Sequence, residues 1–561
     1  MDKRADLVLC WHMHQPDYRD HASGEFTQPW VYLHAIKDYA DMAAHLERHA
    51  GARAVVNLVP VLLEQLEDYA DQFATGRIRD PLLALLARDE ATPLTREERQ
   101  LVFAQCFRAN YEKMVQPFPA YKGLHDSFLA LGEQGRVPSD YLSDRYCHDL
   151  VTWYHLAWIG ETVKRSSGFV MRLMEAGTGF TQDDRRALFE LVGELITGTI
   201  PRYARLAATG RVELSTTPES HPLAPLLIDF RAARESRPDL ALPAAATYPG
   251  GAERVRAHLD AALATHARRF GAAPAGVWPA EGAISAPLLA LLAERGCRWT
   301  ASSESVLANT LRASGGPMPE RAHFAYRPWR APGSALACFF RDDRLSDLIG
   351  FEYAKWDGAE AAAHFVGELE AIVARAGADA TPVVSVILDG ENCWEYYPYN
   401  GFYFLDALYG KLASHPVIRT TTFAAASDSA AKAAELPRVV AGSWVHGDLT
   451  TWIGSPEKNR AWELLVAAKE SFDRVAGSGR LGAAELAAAE RQLADCESSD
   501  WFWWMGDYNP AFAVTTFDQL YRANLARLYR LLGLPVPDAI AEPISRGTGH
   551  PELGGAMRRA S

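Results

Sequence analysis

The stretch VVSVILDGENCWE at residues 383–395 decides the predicted fold, because it joins the most hydrophobic run of the chain directly to an acidic turn. A short apolar run that ends in polar residues is typical of a buried β-strand. Helical patterns lie between most such runs, as at residues 253–269, 286–295 and 359–375. The alternation of strands and helices predicts an α/β fold built on a parallel barrel. Six further runs share the form of the first: residues 6–11, 53–59, 211–217, 276–279, 297–302 and 337–341.

The remaining segments are expected to surround this barrel. Residues 61–206 are helical and amphipathic over a length too great for one crossover, so a helical insertion is predicted after the second strand. The barrel with its insertion is expected to occupy residues 1–425. A C-terminal helical region that completes the cleft is expected at residues 437–535, and a loose tail at residues 537–561.

Composition argues against several classes of protein. The net charge of −13 is spread along the chain without a basic block, so we expect no nucleic-acid partner. No apolar run approaches the roughly 20 residues of a membrane-spanning helix, and the run at residues 7–11 is too short for a signal peptide. The seven cysteines are scattered and include no Cys-x-x-Cys pair, which indicates reduced thiols and a cytoplasmic protein. Oligomeric state is left open.

Polar residues follow most of the predicted strands. Asp389 and Glu391 lie two residues apart after residues 383–388, and proximity of like charges raises the pKa of one of them, as a general acid requires. The alternative is that these acids form a calcium- or magnesium-binding loop, but the sequence lacks the regular acidic spacing of such loops. Glu281 follows another strand, between Trp278 and Gly282. Because active sites of parallel barrels lie at the carboxyl ends of strands, these acids are predicted to share one site.

Two histidines and many aromatic residues accompany these acids. His12 and His14 lie at the end of the first strand, and such a pair could bind a metal, but no third ligand with convincing spacing follows. We therefore expect no metal and no cofactor. The stretch SSDWFWW at residues 498–504 and the loop at residues 442–454 contain tryptophans, of which the chain has 15. This content fits a long carbohydrate cleft better than a cofactor pocket.

With these motifs the chain resembles glycoside hydrolase family 57 over residues 5–510. The five regions of that family are similar, in order, to residues 12–16, 210–213, 278–282, 388–392 and 499–503, with HPLAPLL at residues 221–227 after the second. The resemblance implies an incomplete (β/α)7 barrel, with Glu281 as nucleophile and Asp389 as general acid/base. It also implies a set of substrate-binding residues: His12, His14, Gln15, Trp30, Glu213, His221, Trp278, Glu391, Trp394, Trp452, Asp500, Trp501 and Trp503.

The activity implied by this resemblance is retaining hydrolysis of α-1,4-glucans, of the amylase or amylopullulanase type. Arg211 departs from the family, which often has Asn there, and the branching-enzyme form of the third region, with Cys after Glu281, is absent. Transfer by a 4-α-glucanotransferase or branching-type enzyme is one alternative. A zinc-dependent mannosidase or deacetylase is another, because related barrels use His and Asp for zinc. A glycan-binding protein without activity is the third.

Overall fold

The computed structural model describes residues 4–133, 141–315, 317–376, 381–430, 433–506 and 508–547. Its nine strands form one sheet, in which seven parallel strands follow the order β3-β2-β1-β8-β7-β5-β4. The strands are β1 (Ala5–Met13), β2 (Ala54–Leu58), β3 (Val212–Ser215), β4 (Gly276–Val277), β5 (Trp299–Ser303), β6 (Trp329–Arg330), β7 (Ala337–Arg341), β8 (Val383–Asp389) and β9 (Ile418–Thr421).

All seven predicted barrel strands are present, so the predicted α/β fold is confirmed. The sheet is almost closed, since β3 and β4 meet only at one bridge between Thr216 and Val277, where the Trp278 N–H donates to the Thr216 carbonyl over 3.1 Å. This weak seam makes the barrel an incomplete (β/α)7 barrel. The strand β9 pairs with the first half of β1, and β6 is a short antiparallel addition to β7.

The inside of the barrel is a separate apolar core. Alternate residues of β1, such as Val8 and Cys10, point into it together with Trp299 and Phe339. Phe423, at the start of the helix that follows β9, packs against both aromatic rings, at centroid distances of 4.5 and 4.8 Å. The barrel is therefore a filled scaffold, and only its rim is available to a ligand.

Most of the other regular elements of the described chain are α-helices. They are α1 (Trp30–His34), α2 (Ala40–Arg48), α3 (Pro60–Thr75), α4 (Pro81–Leu86), α5 (Arg96–Gln105), α6 (Pro119–Glu133), α7 (Asp144–Trp158), α8 (Glu161–Ser166), α9 (Gly168–Ala176), α10 (Gln182–Ala208), α11 (Ala224–Ile228), α12 (Ala233–Ser236), α13 (Gly251–Phe270), α14 (Ala286–Glu294), α15 (Glu304–Ala313), α16 (Arg321–Phe324), α17 (Asp343–Asp347), α18 (Gly358–Arg375), α19 (Phe402–Leu412), α20 (Phe423–Ala430), α21 (Pro456–Gly477), α22 (Ala483–Cys496), α23 (Ser499–Trp504), α24 (Ala511–Leu531) and α25 (Asp538–Ala541).

Helices α3 to α10 lie between β2 and β3, in the region of the predicted insertion. Helices α21 to α24 form the C-terminal helical region. Part of the segment predicted as a loose tail is packed on it, since Ile540 is buried and the Ile544 N–H donates to Asp518 over 2.7 Å. The end of that predicted tail, residues 548–561, lies outside the described residues. No helix in the described part of the chain combines the length and apolarity that crossing a bilayer requires.

A buried ionic cluster links the barrel to the C-terminal region. Glu497, fully buried just after α22, accepts hydrogen bonds from Arg254 and His258 of α13 and from the Tyr248 hydroxyl. The Arg254 Nη2 and His258 Nε2 atoms lie 2.8 and 2.7 Å from its carboxylate oxygens. Burial opposes ionisation, but the Arg254 charge and these hydrogen bonds lower the pKa of Glu497 to about 2. The carboxylate is therefore ionised at neutral pH.

We expect Glu497→Gln to lower the free energy of unfolding by about 3–5 kcal/mol, because the change leaves Arg254 buried without its counter-ion. The stabilisation is present above the ordinary glutamate pKa of about 4 and is lost as pH falls toward about 2. Urea unfolding of the wild type and the variant at pH 7 measures the difference in the free energy of unfolding. The control is Glu470→Gln, exposed on α21, and equal stability of the two variants would contradict the assignment.

Candidate active site

The described residues enclose a cavity of about 470 Å³ at the carboxyl ends of β1 and β8. Helix α23 of the C-terminal region and the loop at residues 107–110 of the insertion contribute further walls. Apolar and aromatic surface surrounds a small number of converging polar groups, as in most small-molecule sites. The polar groups lining the cavity include five acids and four histidines: Glu281, Asp389, Glu391, Glu395, Asp500, His12, His14, His34 and His221.

Glu281 occupies a strained backbone position directly after β4. Its φ and ψ are 60° and 20°, in the left-handed region that a non-glycine residue rarely adopts. The Trp444 backbone N–H donates to the Glu281 carbonyl over 3.0 Å, and the Trp444 indole N–H donates to its carboxylate over 3.1 Å. The Ser499 hydroxyl lies 3.3 Å from the other carboxylate oxygen. These contacts hold the strained residue and aim its carboxyl group into the cleft.

Burial raises the pKa of Glu281 to about 8, with further contributions from the charges of Asp500 and Asp389. Asp389 is the last residue of β8 and accepts a hydrogen bond from the Asn392 side chain over 2.8 Å. Burial also raises the pKa of Asp389, to about 6, against the opposing effects of Asn392 and of the positive charge on Arg341. The carboxyl groups of Glu281 and Asp389 therefore both titrate close to neutral pH.

Glu391 is buried beside Asp389 and accepts a hydrogen bond from the His14 backbone N–H over 3.2 Å. Burial, and then the charge of Asp389, raise the pKa of Glu391 well above its ordinary value. Burial thus favours the uncharged form of Glu391. Its carboxyl group supports the turn after β8 through the hydrogen bond from the His14 N–H.

Three histidines form a stack across the cleft floor. The rings of His14 and His221 lie face to face, with centroids 3.8 Å apart and an interplanar angle of 16°. The His12 ring lies 5.3 Å from that of His221. Burial lowers the pKa of His12 to about 3 and lowers the pKa of His221 well below its ordinary value. Both rings are therefore neutral at working pH, and each has one donor and one acceptor nitrogen.

A chain of hydrogen bonds connects the floor of the cleft with Glu281. The side-chain oxygen of Asn57 lies 2.7 Å from His12 Nδ1, and since this oxygen only accepts, we assign the proton to Nδ1. His12 Nε2 then accepts from His221 Nε2 over 3.2 Å, and His221 Nδ1 accepts from the Ser499 hydroxyl over 2.9 Å. Because its one proton goes to His221, the Ser499 oxygen accepts from the protonated Glu281 carboxyl group, 3.3 Å away.

The group of His14, His221 and Asp500 offers donors of the type that zinc binds. Its geometry does not suit zinc, however, because the lone pairs of imidazole lie in the ring plane and two stacked rings direct them in parallel. A tetrahedral ion requires converging nitrogens at about 2.0–2.1 Å. The His14 Nε2 atom instead lies 3.0 Å from both carboxylate oxygens of Asp500, as a hydrogen-bonding pair.

The structure brings most of the predicted site residues together. Five of them lie elsewhere. Glu213 lies inside the barrel, where its carboxylate accepts hydrogen bonds from the Trp299 indole and the Ala424 N–H, over 2.6 and 2.8 Å. The other four are tryptophans buried behind the cleft wall: Trp278, Trp394, Trp452 and Trp501. The predicted residues that line the cleft are His12, His14, Gln15, Trp30, His221, Glu281, Asp389, Glu391, Asp500 and Trp503.

Some cleft residues were missed at the level of sequence. Arg341 lines the cleft at the end of β7, and its place at the end of a predicted strand was a usable signal. Trp444 and Ser499 lie in motifs from which the sequence predicts sugar-binding surface but no contact with Glu281. Arg108 and Phe512 belong to helical regions without any catalytic pattern, and only the tertiary packing places them at the cleft.

Comparison with known proteins identifies the family of this chain. The model of glycosyl hydrolase family 57 matches residues 8–436. The chain belongs to glycosyl hydrolase family 57. It is therefore an enzyme of the glycosidase and transglycosidase class, which confirms the resemblance found in the motifs. The comparison with curated proteins found no match.

Solved structures of other family 57 enzymes share the fold of this chain. A branching enzyme from Thermococcus kodakaraensis, solved with glucose and additives, matches with a TM-score of 0.56 and 16% identity over 95% of this chain and 90% of that one. A branching enzyme from Pyrococcus horikoshii matches with a TM-score of 0.56 and 16% identity over 95% of this chain and 88% of that one. The α-amylase AmyC from Thermotoga maritima matches with a TM-score of 0.55 and 14% identity over 94% of this chain and 93% of that one. At such identities the likeness concerns the fold alone.

We expect Asp500→Asn to lower the pKa of Glu281, because the charge of Asp500 is the largest cause of its raised value after burial. The alkaline limb of kcat/KM against pH should move to lower pH. The control is Asp495→Asn, whose carboxyl group interacts with Asp17 and His21 outside the cleft. An unchanged alkaline limb in Asp500→Asn, or an equal shift in the control, would show that Asp500 does not tune Glu281.

Proposed function

We propose that this family 57 enzyme is a retaining, metal-independent glycosidase that cleaves α-1,4-glucans in the manner of an amylase. The observation that carries the proposal is the meeting of the buried Glu281 and the half-buried Asp389, which follow different strands, in one cleft where each can take a different role. All seven cysteines are buried free thiols, which favours a reducing compartment such as the cytoplasm.

In the proposed reaction Asp389 donates its proton to the glycosidic oxygen while the Glu281 carboxylate attacks the anomeric carbon. The bond between that carbon and the glycosidic oxygen breaks, and a glycosyl ester forms on Glu281. Asp389 then removes a proton from water, which attacks the same carbon and releases Glu281. Two inversions retain the anomeric configuration.

This chemistry requires one proton on the pair, with Glu281 ionised and Asp389 protonated. With pKa values of about 8 and 6, the pair holds one proton between these two pH values. In the free enzyme that proton favours Glu281. Positive charge developing at the anomeric carbon stabilises the Glu281 carboxylate, so the reactive arrangement, with the proton on Asp389, gains population along the reaction.

The remaining cleft residues suit sugar binding. Asp500 accepts hydrogen bonds and His14 is its partner, so together they can bind a pair of sugar hydroxyls. Trp30, Trp503 and Trp504 line the same cavity and provide rings against which the apolar face of a sugar can stack. Recognition by hydroxyl groups and ring faces fits a neutral glucan, since the cleft already contains several carboxyl groups.

Transfer to a second sugar, as in a glucanotransferase or branching enzyme, is the second candidate. It is favoured by the aromatic rim of the cleft, where Arg108 stacks between Trp30 and Phe512 at centroid distances of 5.0 and 5.1 Å. Phe512 is 52% exposed and borders the cavity. An aromatic rim can hold an acceptor sugar and displace water from the glycosyl ester.

The two other readings of the sequence have less support. A zinc-dependent mannosidase or deacetylase needs converging ligands, whereas His14 and His221 are stacked. A glycan-binding protein without activity needs neither the strained backbone of Glu281 nor a second carboxyl group at Asp389. Strain of this kind costs about 1–3 kcal/mol and persists where it serves a site.

Product analysis on maltoheptaose and pullulan in the presence of chelator tests the proposal. The wild-type enzyme should release shorter maltooligosaccharides, and longer products alongside them would indicate transfer. Glu281→Gln should reduce kcat more than about 10⁴-fold because no covalent ester can form. The matched control Glu294→Gln, exposed at the end of α14, should be fully active. An active Glu281→Gln enzyme would overturn the assignment.

Chemical rescue separates the two acids. With azide as an external nucleophile, Glu281→Ala should form a glycosyl azide of inverted configuration from an activated α-glucoside, because one displacement replaces two. Asp389→Ala should form the azide of retained configuration, because Glu281 still makes the ester. Nuclear magnetic resonance of the products distinguishes these outcomes, and exchanged stereochemistry would mean that the roles are reversed.

The pH dependence of kcat/KM should be bell-shaped, with limbs near pH 6 and pH 8. Below about 6 both carboxyl groups are protonated and the nucleophile is lost, and above about 8 both are ionised and the acid is lost. Initial rates on maltoheptaose from pH of about 4 to about 10 measure the profile. A maximum outside the window between the two limbs would contradict the coupled pair.

A further inference from the structure

A second cluster of histidine and aspartate lies outside the cleft, where α2 ends beside α19. His45 and His49 are one helical turn apart and therefore lie on the same face of the chain. Asp406 of α19 faces them, and one ligand atom from each of the three residues lies within 4.8 Å of the others. His49 Nε2 is 2.8 Å from Asp406 Oδ1. None of the three lines the proposed active site.

The unusual member of this cluster is His45. Its side chain is 1% exposed, and neither ring nitrogen has a hydrogen-bond partner among the described residues. A buried imidazole without a partner costs free energy that an apolar residue would not. Imidazole nitrogens are among the commonest metal ligands in proteins.

The donor set and its surroundings suit zinc. Two imidazole nitrogens and one carboxylate oxygen are typical zinc ligands, and a water molecule can complete the tetrahedron. The side chain of Asp406 is 32% exposed and that of His49 is 15% exposed, which leaves an entry path from solvent. An ion among the three residues would give His45 the partner that it lacks.

Arg48 is the natural competitor of such an ion. Its Nε atom lies 3.2 Å from Asp406 Oδ1, and its side chain is 59% exposed. The guanidinium group therefore balances the charge of Asp406 in the metal-free protein, and it can turn into solvent at the cost of its contact with the Phe402 ring. Its positive charge opposes binding of a cation at the same carboxylate.

We propose that His45, His49 and Asp406 form a zinc site that links α2 to α19. The two helices precede β2 and β9, and β1 pairs with both of these strands. A bound ion would therefore join the two helices that precede the neighbours of the central strand β1. With three protein ligands the binding is reversible. The site lies outside the cleft, so the stability of the fold depends on zinc and the chemistry of the cleft does not.

Calorimetric titration of ZnCl₂ into the full chain, without a histidine tag and after treatment with chelator, tests this site. His45→Leu and Asp406→Asn should each weaken this binding step at least tenfold. Arg48→Gln should tighten it, because the competing cation is removed. The matched control is His364→Leu, which makes the same change on α18 and should bind zinc as the wild type does.

Stability and activity provide the second readout. Zinc should raise the Tm of the wild type and of His364→Leu but not of His45→Leu. Without zinc, His45→Leu should be at least as stable as the wild type, because leucine places no unpaired nitrogen in the same apolar position. Glucan cleavage in chelator should be unchanged in all these variants, so failure of the zinc site is distinguishable from failure of the proposed function.

Two other groups of potential ligands serve as internal controls: the cleft group of His14, His221 and Asp500, and the group of Asp17, His21 and Asp495. Zinc binding that survives in both His45→Leu and Asp406→Asn but is lost in Asp500→Asn or His21→Gln would overturn the proposal. The absence of any binding step in the wild type would overturn it as well.

Discussion

The burial of several carboxyl groups in one cleft is the constraint on which the site depends. Glu281, Asp389, Glu391 and Asp500 cannot all be ionised within a cavity of about 470 Å³, because the cost of desolvation adds to their mutual repulsion. Burial favours the uncharged form of Glu391, and Glu281 and Asp389 share a proton near neutral pH. The chemistry proposed for the pair is a direct consequence of this limited capacity for charge.

The same constraint explains how the C-terminal helices contribute to the active site. The barrel alone supplies Glu281, after β4, and Asp389, at the end of β8, while Ser499 and Asp500 come from helix α23. The ionic anchor at Glu497 lies just before these two residues in the chain. A buried charge paired with Arg254 has little freedom to move, and it therefore fixes the hydroxyl and the carboxylate that set the pKa of Glu281.

The sequence predicted the scaffold better than the walls of the cleft. All seven barrel strands and both catalytic candidates were located from apolar runs that end in polar residues, because strand ends in a parallel barrel face one rim. The aromatic run at residues 501–504 shows where such reasoning fails. It was read as cleft surface, but α23 is a helix whose successive side chains point in different directions, so Trp501 is buried while Trp503 and Trp504 reach the cavity.

Local pattern thus determined by itself the fold class, the order of the strands along the chain and the positions of the acids that follow them, since these depend on neighbours in sequence. Only the tertiary structure decided the exposure of each aromatic ring, the displacement of Glu213 into the barrel interior and the pairing of His45 with Asp406. These properties arise from contacts between segments hundreds of residues apart, and desolvation, which sets the pKa values, depends on every atom that packs around the group.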